Sequence, residues 1–524
     1  MDNILIYMLQ IFFALYIILR LKKEMHYMQL NSYMNTRYFK WVKKNYFEKM
    51  RLIELTLMVT FGFSFLGLSV IFKFLFALYL ISSIYLMIKQ KQKKKFVFTA
   101  RAIRLFSCAS IFLALSFFTI IYFPSERNNY SLLLLIVLDL LLFAIILVAI
   151  IVVKPIELLI NRWYYNDARR ILKQMPDLLI IGITGSYGKT STKFFLHKIL
   201  SEKFNVLMTP ESYNTTMGVI KTIREKLNPI HQVFIVEMGA KQIGDIKEIC
   251  DLVHPQIGII TAVAEQHLET FKNIQNVQKT KFELANSLPQ NGKIYLNADF
   301  EKIENYILNN NLEKYYYSTS KTNTSYYSSN LIYTNRGLKF DIYRLNEKLL
   351  DIRTKLLGKY NVSNILGCCA VAYDLGIDID NIKFAVNNLH PVPHRLEIKT
   401  NSNGITIIDD AYNSNPNGAA MALEVLNVVE GRKKIIVTPG MVELGEKESF
   451  YNKEFGRKIA EVCDYVILVG EKQTISIYIG LIEMKYNKEN IFIVKNLDEA
   501  TQCIKNMIKE NDVILYENDL PDTY

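Results

Sequence analysis

The sequence predicts an α-helical membrane domain followed by two α/β domains, of which the second is the smaller. Long apolar runs are confined to residues 1–176 of the 524-residue chain. From residue 177 onward, short apolar strands alternate with amphipathic helices, an order typical of a doubly wound parallel sheet. The proline-bearing stretch His390–His394 predicts a hinge between domains at 177–393 and 394–524.

Charge divides the chain at the same place. Residues 1–176 contain 23 Lys and Arg but 8 Asp and Glu, a net charge of +15, whereas the whole chain carries +12. The α/β portion is therefore slightly acidic, which argues against nucleic acid as a partner. Six cysteines without C-x-x-C spacing or a cysteine–histidine cluster predict reduced thiols rather than a zinc site.

The apolar runs of the membrane domain predict about five spans. Ile4–Leu19 is long enough to form the first. Leu52–Ile88 exceeds one crossing and has basic residues on both sides, so we expect a hairpin that turns near Lys73. Leu105–Phe123 and Ser131–Val153 form the last two spans around a short loop.

Basic loops prefer the cytoplasm, which places the N-terminus outside and the α/β domains inside the cell. Met1–Asn3 lacks the positive charge of a signal peptide, so no cleavage is expected. Asp139 lies within the last span and is expected to face other helices; a proton or substrate role is the alternative. Membrane lipid is an expected partner, since the basic loops can attract anionic headgroups, although their role in setting the topology explains their charge equally well.

The segment DLLIIGITGSYGKTSTKFFLHKIL predicts a strand at Leu178–Ile183, a glycine-bearing turn, and a helix at Thr192–Leu200. Backbone amides of such a turn can surround a phosphate at the start of a helix. Lys189 can reach the outer phosphates, and the Thr190 hydroxyl can bind Mg²⁺. Ile183 stands where the strict P-loop pattern has its first glycine, so a turn that binds nothing is the alternative. The expected phosphate-binding residues are Gly185, Ser186, Tyr187, Gly188, Lys189, Thr190 and Ser191.

Three further residues follow predicted strands or lie on the next helix. Glu237 ends the strand Gln232–Val236, where a carboxylate is well placed to hold Mg²⁺ beside a phosphate. His267 follows the strand Ile257–Thr261, and Lys281 lies on a helix after it. Taken singly, Glu237 could be a helix cap, and His267 would more often be a core or surface histidine than a ligand. Lys281 alone is most simply explained as a solvated helix lysine.

The remaining elements complete the two α/β domains. Thr322–Leu357 alternates apolar and polar residues and predicts antiparallel strands attached to the first α/β domain. Gly404–Asp409, Lys433–Val437 and Tyr465–Val469 predict the strands of a smaller, Rossmann-like domain.

Nine motifs then occur in order along the chain. They are GITGSYGKTSTK, NTTMGV, VEMGAKQIGDI, EQHLETF, TKFELA, LNAD, GKYNVSNILGCCAVAYDLG, HRLEI and IDDAYNSNPNGAAMALEVL. Over about residues 177–470 the chain therefore resembles the Mur ligases, ATP-dependent amide-forming enzymes of peptidoglycan precursor synthesis. Within that family it is most similar to the branch that adds D-alanyl-D-alanine. The resemblance implies a P-loop central ATPase domain and a bacterial source. Together with the predicted spans and basic loops, it gives an expected location in the plasma membrane of a bacterium, as an integral protein with cytoplasmic catalytic domains.

The resemblance also implies a metal and phosphate site. Lys189 and Thr190 would bind the ATP phosphates and Mg²⁺, and Glu237 would bind the magnesium between the β- and γ-phosphates. His267 would help to hold a second magnesium. Lys281 matches the family's carbamylated lysine, in which a CO₂ adduct turns a cation into a metal-binding group.

Further positions match the family's nucleotide contacts. Asn361 and Asn364 match a G-x-H-N-x-x-N motif, although Tyr360 replaces the usual histidine. Arg395 matches an arginine near the transferred phosphate, and Asp410 matches the aspartate that holds the ribose. The implied catalytic residues are Lys189, His267, Lys281 and Arg395.

The implied partners are ATP, a muropeptide-like carboxylate acceptor and an amino-acid or dipeptide amine. Two departures leave alternatives open. Membrane spans stand where the family has a UDP-sugar domain, and the chain reads YENDLPDTY where relatives have a Gly-Ser-Arg-type segment. One alternative is the same chemistry on a lipid-linked muropeptide or an amino-acid polymer. The other is an ATP-binding membrane sensor or transporter component.

Overall fold

The computed structural model describes residues 2–31, 33–45, 59, 61, 69–89, 95–122, 128–308, 310–334, 337–412 and 414–519. The chain forms two compact units, a first within Met1–Trp163 and a second within Tyr164–Leu520.

The described part of the first unit is helical. Its helices are α1 (Asp2–Leu30), α2 (Asn35–Asn45), α3 (Ser69–Lys89), α4 (Ala100–Tyr122), α5 (Asn128–Leu140) and α6 (Leu142–Lys173). Among the described residues, four helices are long and apolar enough to cross a membrane: α1 from Ile4 onward, α3, α4 and α6. The predicted fifth span depends on residues 52–68, of which nearly all lie outside the described ranges.

Three details of the predicted spans are wrong. Lys73 lies inside the continuous helix α3, because residues 69–89 contain no glycine, proline or polar cluster that would favour a turn. Ser131–Val153 is not one helix, because the helix is interrupted at Leu141. There the Ala144 amide donates a hydrogen bond to the Leu141 carbonyl, three residues back, as in a 3₁₀ turn. The first helix does not end at residue 19 but continues to Leu30.

Asp139 faces other helices, as predicted. It is fully buried and accepts hydrogen bonds from the hydroxyls of Tyr16 on α1 and Tyr79 on α3. Arg20 of α1 lies 3.6 Å from its other carboxylate oxygen. Since a buried carboxylate in a membrane helix needs such partners, these contacts join three helices of the unit.

The connector predicted at Lys154–Lys173 is helical. It forms the second half of α6, and Ala168 near its end is buried among Ile220, Ile223 and other core side chains of the second unit. The second unit therefore starts at Tyr164, ahead of the predicted domain boundary at 176/177.

The first part of the second unit contains a sheet of nine described strands. Its elements are β1 (Leu179–Thr184), α7 (Lys189–Leu200), β2 (Val206–Met208), α8 (Thr216–Lys226), β3 (Val233–Glu237), α9 (Asp245–Val253), β4 (Ile257–Ile260), α10 (Leu268–Phe271), α11 (Ile274–Asn286), β5 (Lys293–Asn297), α12 (Glu301–Glu304), β6 (Glu313–Ser318), β7 (Tyr326–Thr334), β8 (Gly337–Arg344), β9 (Glu347–Thr354), α13 (Lys359–Asp374) and α14 (Ile379–Asn387).

The strand order β2-β3-β1-β4-β5-β6-β7-β8-β9 explains where a ligand can bind. Pairing is parallel from β2 to β7, and the antiparallel hairpins β7–β8–β9 confirm the strands predicted within Thr322–Leu357. The chain passes to β3 on one side of β1 and to β4 on the other. Such a reversal opens a crevice at the carboxyl ends of the strands, and the glycine turn after β1 lies there.

A second sheet of six described strands follows. Its elements are β10 (Glu397–Thr400), β11 (Thr406–Asp410), α15 (Pro416–Val428), β12 (Lys434–Thr438), a 3₁₀ turn (Gly445–Lys447), α16 (Glu448–Val462), β13 (Tyr465–Val469), α17 (Ile475–Glu483), a 3₁₀ turn (Lys488–Asn490), β14 (Ile491–Val494), α18 (Leu497–Met507) and β15 (Val513–Glu517). The order is β10-β11-β15-β12-β13-β14, parallel except for β10. The predicted smaller α/β fold is confirmed.

A substitution of Ile259, at the centre of β4, measures how much the core of the first sheet contributes to the stability of the second unit. The side chain is fully buried, so Ile259→Ala is expected to lower the free energy of unfolding by about 2–5 kcal/mol through loss of packing and formation of a cavity. Hydrogen–deuterium exchange of β1 and β4 peptides measures the change. Ile230→Ala is the control, because Ile230 is 66% exposed and should change stability by about 0.5 kcal/mol or less. Equal effects of the two variants would contradict the placement of β4 in the core.

Candidate active site

Two glycines shape the turn between β1 and α7. A Cβ on Gly185 would lie 2.1 Å from the Thr261 hydroxyl oxygen, so only glycine fits there. Gly188 has a φ of 81°, and a Cβ there would lie 2.7 Å from Asn364 Oδ1. Gly188 is the N-cap of α7, and among the described residues no side chain caps this helix. A helix N-terminus without a side-chain cap can bind a phosphate through its first amides, and phosphate binding at this turn stays a prediction.

Lys189 folds back over this turn. Its Nζ donates to the carbonyl oxygens of Gly185 and Ser186, at 2.7 and 3.2 Å. Burial lowers the pKa of Lys189 to about 8, and the charge of Glu237 opposes that effect. The ammonium group therefore lies at the turn, where it can exchange carbonyl oxygens for phosphate oxygens.

Glu237 at the end of β3 is the centre of a buried polar cluster. Its Oε1 accepts hydrogen bonds from the Thr190 hydroxyl and the Asn214 amide, both at 3.1 Å. Its Oε2 accepts from Lys193 Nζ at 2.9 Å, and both side chains of this pair are almost fully buried. Burial acts to raise the pKa of Glu237, but the Lys193 and Lys189 cations outweigh it and hold the pKa below its usual value. The carboxylate is therefore ionised.

The other residues of the predicted loop have structural partners. Ser186 Oγ donates to the carbonyl of Ala264 and accepts from its amide, both at 2.9 Å. The Tyr187 ring lies 4.9 Å from the Tyr360 ring, and the Tyr187 hydroxyl accepts from Asn417 Nδ2 at 3.2 Å. Ser191, in the first turn of α7, is 8% exposed.

Lys281 and His267 are coupled electrostatically, because the Lys281 charge acts on the His267 imidazole. Lys281 on α11 is almost fully buried, and burial followed by the charge of Lys189 lowers its pKa to about 7. His267 Nδ1 lies 2.5 Å from Glu443 Oε2, and burial lowers the pKa of the imidazole. No three His, Cys, Asp or Glu side chains in the described ranges cluster closely enough to hold a metal ion by themselves. The structure does not bring His267 and Glu237 together in such a cluster.

The predicted nucleotide residues on α13 border the turn. Asn361 Nδ2 donates to the carbonyl of Leu357, at 2.8 Å, and Asn364 Oδ1 accepts from the Thr192 hydroxyl, at 3.2 Å. Asn364 Nδ2 and the Tyr360 hydroxyl are buried without a hydrogen-bond partner among the described residues. Both residues lie close to Gly188. These two polar atoms are available to a ligand at the turn.

Arg395, two residues before β10, and Asp410, at the end of β11, come from the second α/β domain. The Arg395 guanidinium lies 4.2 Å from the centre of the Tyr412 ring, and its charge acts on Lys189. Asp410 at the end of β11 accepts from the Leu396 amide at 3.2 Å. Burial raises the pKa of Asp410 to about 6, although the Arg395 charge opposes it.

Sequence reasoning missed three charged residues near the candidate site: Lys193, Glu443 and Glu517. Lys193 follows Lys189 by one helical turn, a spacing that could have suggested a second inward-facing cation. Glu443 belongs to a loop without a predicted role. Glu517 is buried at the end of β15, accepts from the Ser414 and Thr438 hydroxyls, and has its pKa raised by burial to about 7. Neither carboxylate had a sequence signal of its own.

Comparison with known proteins agrees with this geometry. The Mur ligase middle domain matches residues 183–372, and the glutamate ligase domain of Mur ligases matches residues 394–516. The chain belongs to the Mur ligase family. The predicted resemblance is thereby confirmed, and the two matched ranges lie within the two predicted α/β domains.

Relatives of this Mur ligase chain carry the name UDP-N-acetylmuramoyl-tripeptide--D-alanyl-D-alanine ligase. One from Buchnera aphidicola is 29% identical over 343 residues, which cover 66% of this chain and 72% of the relative. One from Escherichia coli K12 is 28% identical and covers 60% of this chain and 69% of the relative.

Solved structures show the same fold. MurF from Thermotoga maritima in complex with ADP aligns with a TM-score of 0.61 and 23% identity, over 68% of this chain and 80% of that one. MurF from Acinetobacter baumannii aligns with a TM-score of 0.60 and 21% identity, over 68% and 77%. The predicted fold class of the α/β portion is confirmed.

Lys193→Ala is expected to destabilise the Mur ligase portion by about 3–5 kcal/mol, because it leaves the Glu237 carboxylate buried without its cation. Thermal unfolding of the purified chain measures the loss. Lys198→Ala on the same helix is the control, since Lys198 is 44% exposed and its pair with Glu202 should contribute about 0–1 kcal/mol. Similar losses in both variants would show that the buried pair has no special role.

Proposed function

We propose that the chain is an ATP-dependent amide ligase of peptidoglycan precursor synthesis, similar to MurF, that works beside the membrane. The observation that supports this most strongly is the phosphate turn with the ionised Glu237 carboxylate and the Thr190 hydroxyl next to it. Lys281 from the same domain, and Arg395 and Asp410 from the next, add the groups that an acyl-phosphate ligase needs. The family assignment and the names of the relatives support the same reaction class.

The proposed reaction has two steps. A substrate carboxylate attacks the γ-phosphate of ATP, which gives an acyl phosphate and ADP. An amine then attacks the acyl carbon, and inorganic phosphate leaves as the amide forms. Because charge spreads over the phosphoryl oxygens in the first step, Lys189 and Arg395 stabilise it by their position and charge. The reaction needs no protein nucleophile.

The side chains at the turn fit a magnesium ion. Mg²⁺ prefers oxygen ligands and is usually held by one or two protein groups together with phosphates and water. The Thr190 hydroxyl and the Glu237 carboxylate, 3.1 Å apart, meet that requirement. A second ion would need His267, oxygens on a carbamylated Lys281 and the phosphates. When bound, these ions would neutralise the charge of the transferred phosphoryl group.

The nucleotide would be held from both α/β domains. Asn361 and Asn364 border the turn from α13, and Asp410 lies at the edge of the second sheet, where a ribose hydroxyl could reach its carboxylate. The resemblance assigns the same positions to the nucleotide. ADP in the Thermotoga relative supports a nucleotide in this fold.

Membrane association is a further part of the proposal. The four apolar helices of the first unit support an integral plasma-membrane location with cytoplasmic catalytic domains, as expected from the basic loops. Membrane lipid is then an unavoidable neighbour of these helices.

One observation favours a second candidate, the same reaction on a lipid-linked muropeptide. An apolar groove of about 320 Å³ in the first unit is lined by α1 between Tyr7 and Ile18 and by Phe117 and Ile121 of α4. Lys22 follows Ile18 by one turn on the same helix face, is exposed and lies 5.9 Å from the Phe98 ring. An apolar groove with a cation one helical turn beyond its last α1 residue suits a lipid with a phosphate headgroup.

Substrate-dependent phosphate release separates the candidates. With ATP, Mg²⁺ and D-alanyl-D-alanine, we expect release with a UDP-linked tripeptide acceptor, a lipid-linked one, or both. If the groove serves the acceptor, Lys22→Glu should raise KM for the lipid-linked acceptor alone. Lys89→Glu, at an exposed helix end elsewhere in the unit, should leave both KM values unchanged. Nucleotide binding without phosphate release for any carboxylate–amine pair would favour the sensor or transporter alternative.

Carbamylation of Lys281 can be measured directly. Only the neutral amine reacts with CO₂, and with a pKa of about 7 a large share of Lys281 is neutral near pH 7. With ¹³C-bicarbonate we expect a carbamate ¹³C signal that grows as the pH rises from about 6 to 8. Lys281→Ala should abolish both this signal and the ligase activity. Lys279→Ala, an exposed lysine on the same helix, should retain both. A signal that persists in Lys281→Ala would assign the carbamate elsewhere.

A further inference from the structure

The contact between His267 and Glu443 joins the two α/β domains. Glu443 lies in the loop after β12, whereas His267 lies in the loop after β4, at the N-cap of α10. We infer that Glu443 is a positioning residue that orients His267 toward a divalent metal ion, so that the second domain completes a metal site of the first. This inference rests on the proposed function, which supplies the nucleotide phosphates that share the ion.

The geometry assigns one nitrogen of the imidazole to Glu443. Nδ1 lies 2.5 Å from Glu443 Oε2, within hydrogen-bonding distance, and the two side chains are 21% and 24% exposed. With its hydrogen on Nδ1, the ring is neutral and presents the lone pair of Nε2. Histidines that bind metals are commonly held in this way, by a carboxylate on the other ring nitrogen. The charges that act on His267 besides Glu443 are those of Lys241 and Lys281.

Backbone conformation marks the same two residues. His267 has a φ of 52° and Glu443 a φ of 63°, in the left-handed region that residues with side chains seldom adopt. Such conformations persist where surrounding contacts hold them, and they are often found at functional sites. Two strained residues that contact each other across a domain boundary are consistent with a role that requires this contact.

Neighbouring contacts fix the Glu443 loop in place. The Glu269 amide donates to the backbone carbonyl of Glu443 at 3.3 Å. Glu265 accepts a hydrogen bond from Lys447 Nζ at 2.7 Å and another from the Tyr451 hydroxyl. The second domain therefore holds the loop around His267 at several points. Among the contacts named, the one with the Glu443 carboxylate touches the imidazole.

The chemistry of an imidazole also indicates which ion to use as a probe. A nitrogen ligand suits transition-metal ions better than Mg²⁺, which prefers oxygen. Mn²⁺ accepts both and is observed by electron paramagnetic resonance. Modulation from ¹⁴N in the spin-echo signal reports a bound imidazole, so the readout does not depend on turnover.

The test is Mn²⁺ titration of the full chain in detergent with a non-hydrolysable ATP analogue. We expect two Mn²⁺ ions per wild-type chain, one of them with ¹⁴N modulation that His267→Ala removes. Glu443→Ala should lower the affinity for that ion by about 10–100-fold and leave the affinity for the other ion unchanged. Glu443→Gln, whose amide oxygen still accepts from Nδ1, should give an intermediate loss and serves as the deciding variant if Glu443→Ala does not fold.

Lys447→Ala is the matched control, because it removes another contact of the same domain boundary and does not touch His267. It should change the affinity of the nitrogen-coupled ion less than about twofold. The inference would be overturned if Glu443→Gln and Glu443→Ala left the affinity for this ion unchanged, or if Lys447→Ala lowered it equally. Binding of only one Mn²⁺ ion by the wild type would also overturn it. Failure of the wild type to bind the nucleotide at all would instead count against the proposed function.

Discussion

The ion pair between Lys193 and Glu237 is the contact on which the candidate site depends. It lies beneath the phosphate turn and joins α7 to the end of β3 with both side chains out of water. In such a place a carboxylate without a cation would be neutral or badly destabilising. Because the lysine is present, Glu237 keeps its charge and its orientation, and Thr190 and Asn214 are fixed by hydrogen bonds to it. The orientation of the turn follows from this arrangement.

Much of the fold could be predicted because it is encoded locally. Apolar runs of the right length between glycine-bearing turns placed β1, β3 and β13 almost to the residue, and Tyr465–Val469 has the predicted bounds. The bounds of the membrane helices were harder to predict, because a uniformly apolar sequence does not indicate where one helix ends and the next begins. Lys73 looked like a turn by its charge, yet it is buried within a helix.

The candidate site was less predictable, since its contacts join residues far apart in the chain. A motif can mark Lys189, Glu237 or Lys281, but it cannot show that Glu443 contacts His267 or that the Tyr187 ring lies against the Tyr360 ring. The first contact joins the two α/β domains, and the second joins segments of one domain that are far apart in the sequence. The positive φ angles of His267 and Glu443 are equally invisible in sequence, because neither is a glycine.

Lys189 is hydrogen-bonded to the backbone of its own turn. Its ammonium group donates to two carbonyl oxygens, those of Gly185 and Ser186. A ligand must displace hydrogen bonds that each contribute about 0.5–1.5 kcal/mol. A ligand that contacts Lys189 alone would gain few hydrogen bonds in return, whereas a triphosphate that also contacted α13 and the second α/β domain would gain more. The hydrogen bonds of Lys189 to its own backbone therefore favour ligands that contact both domains.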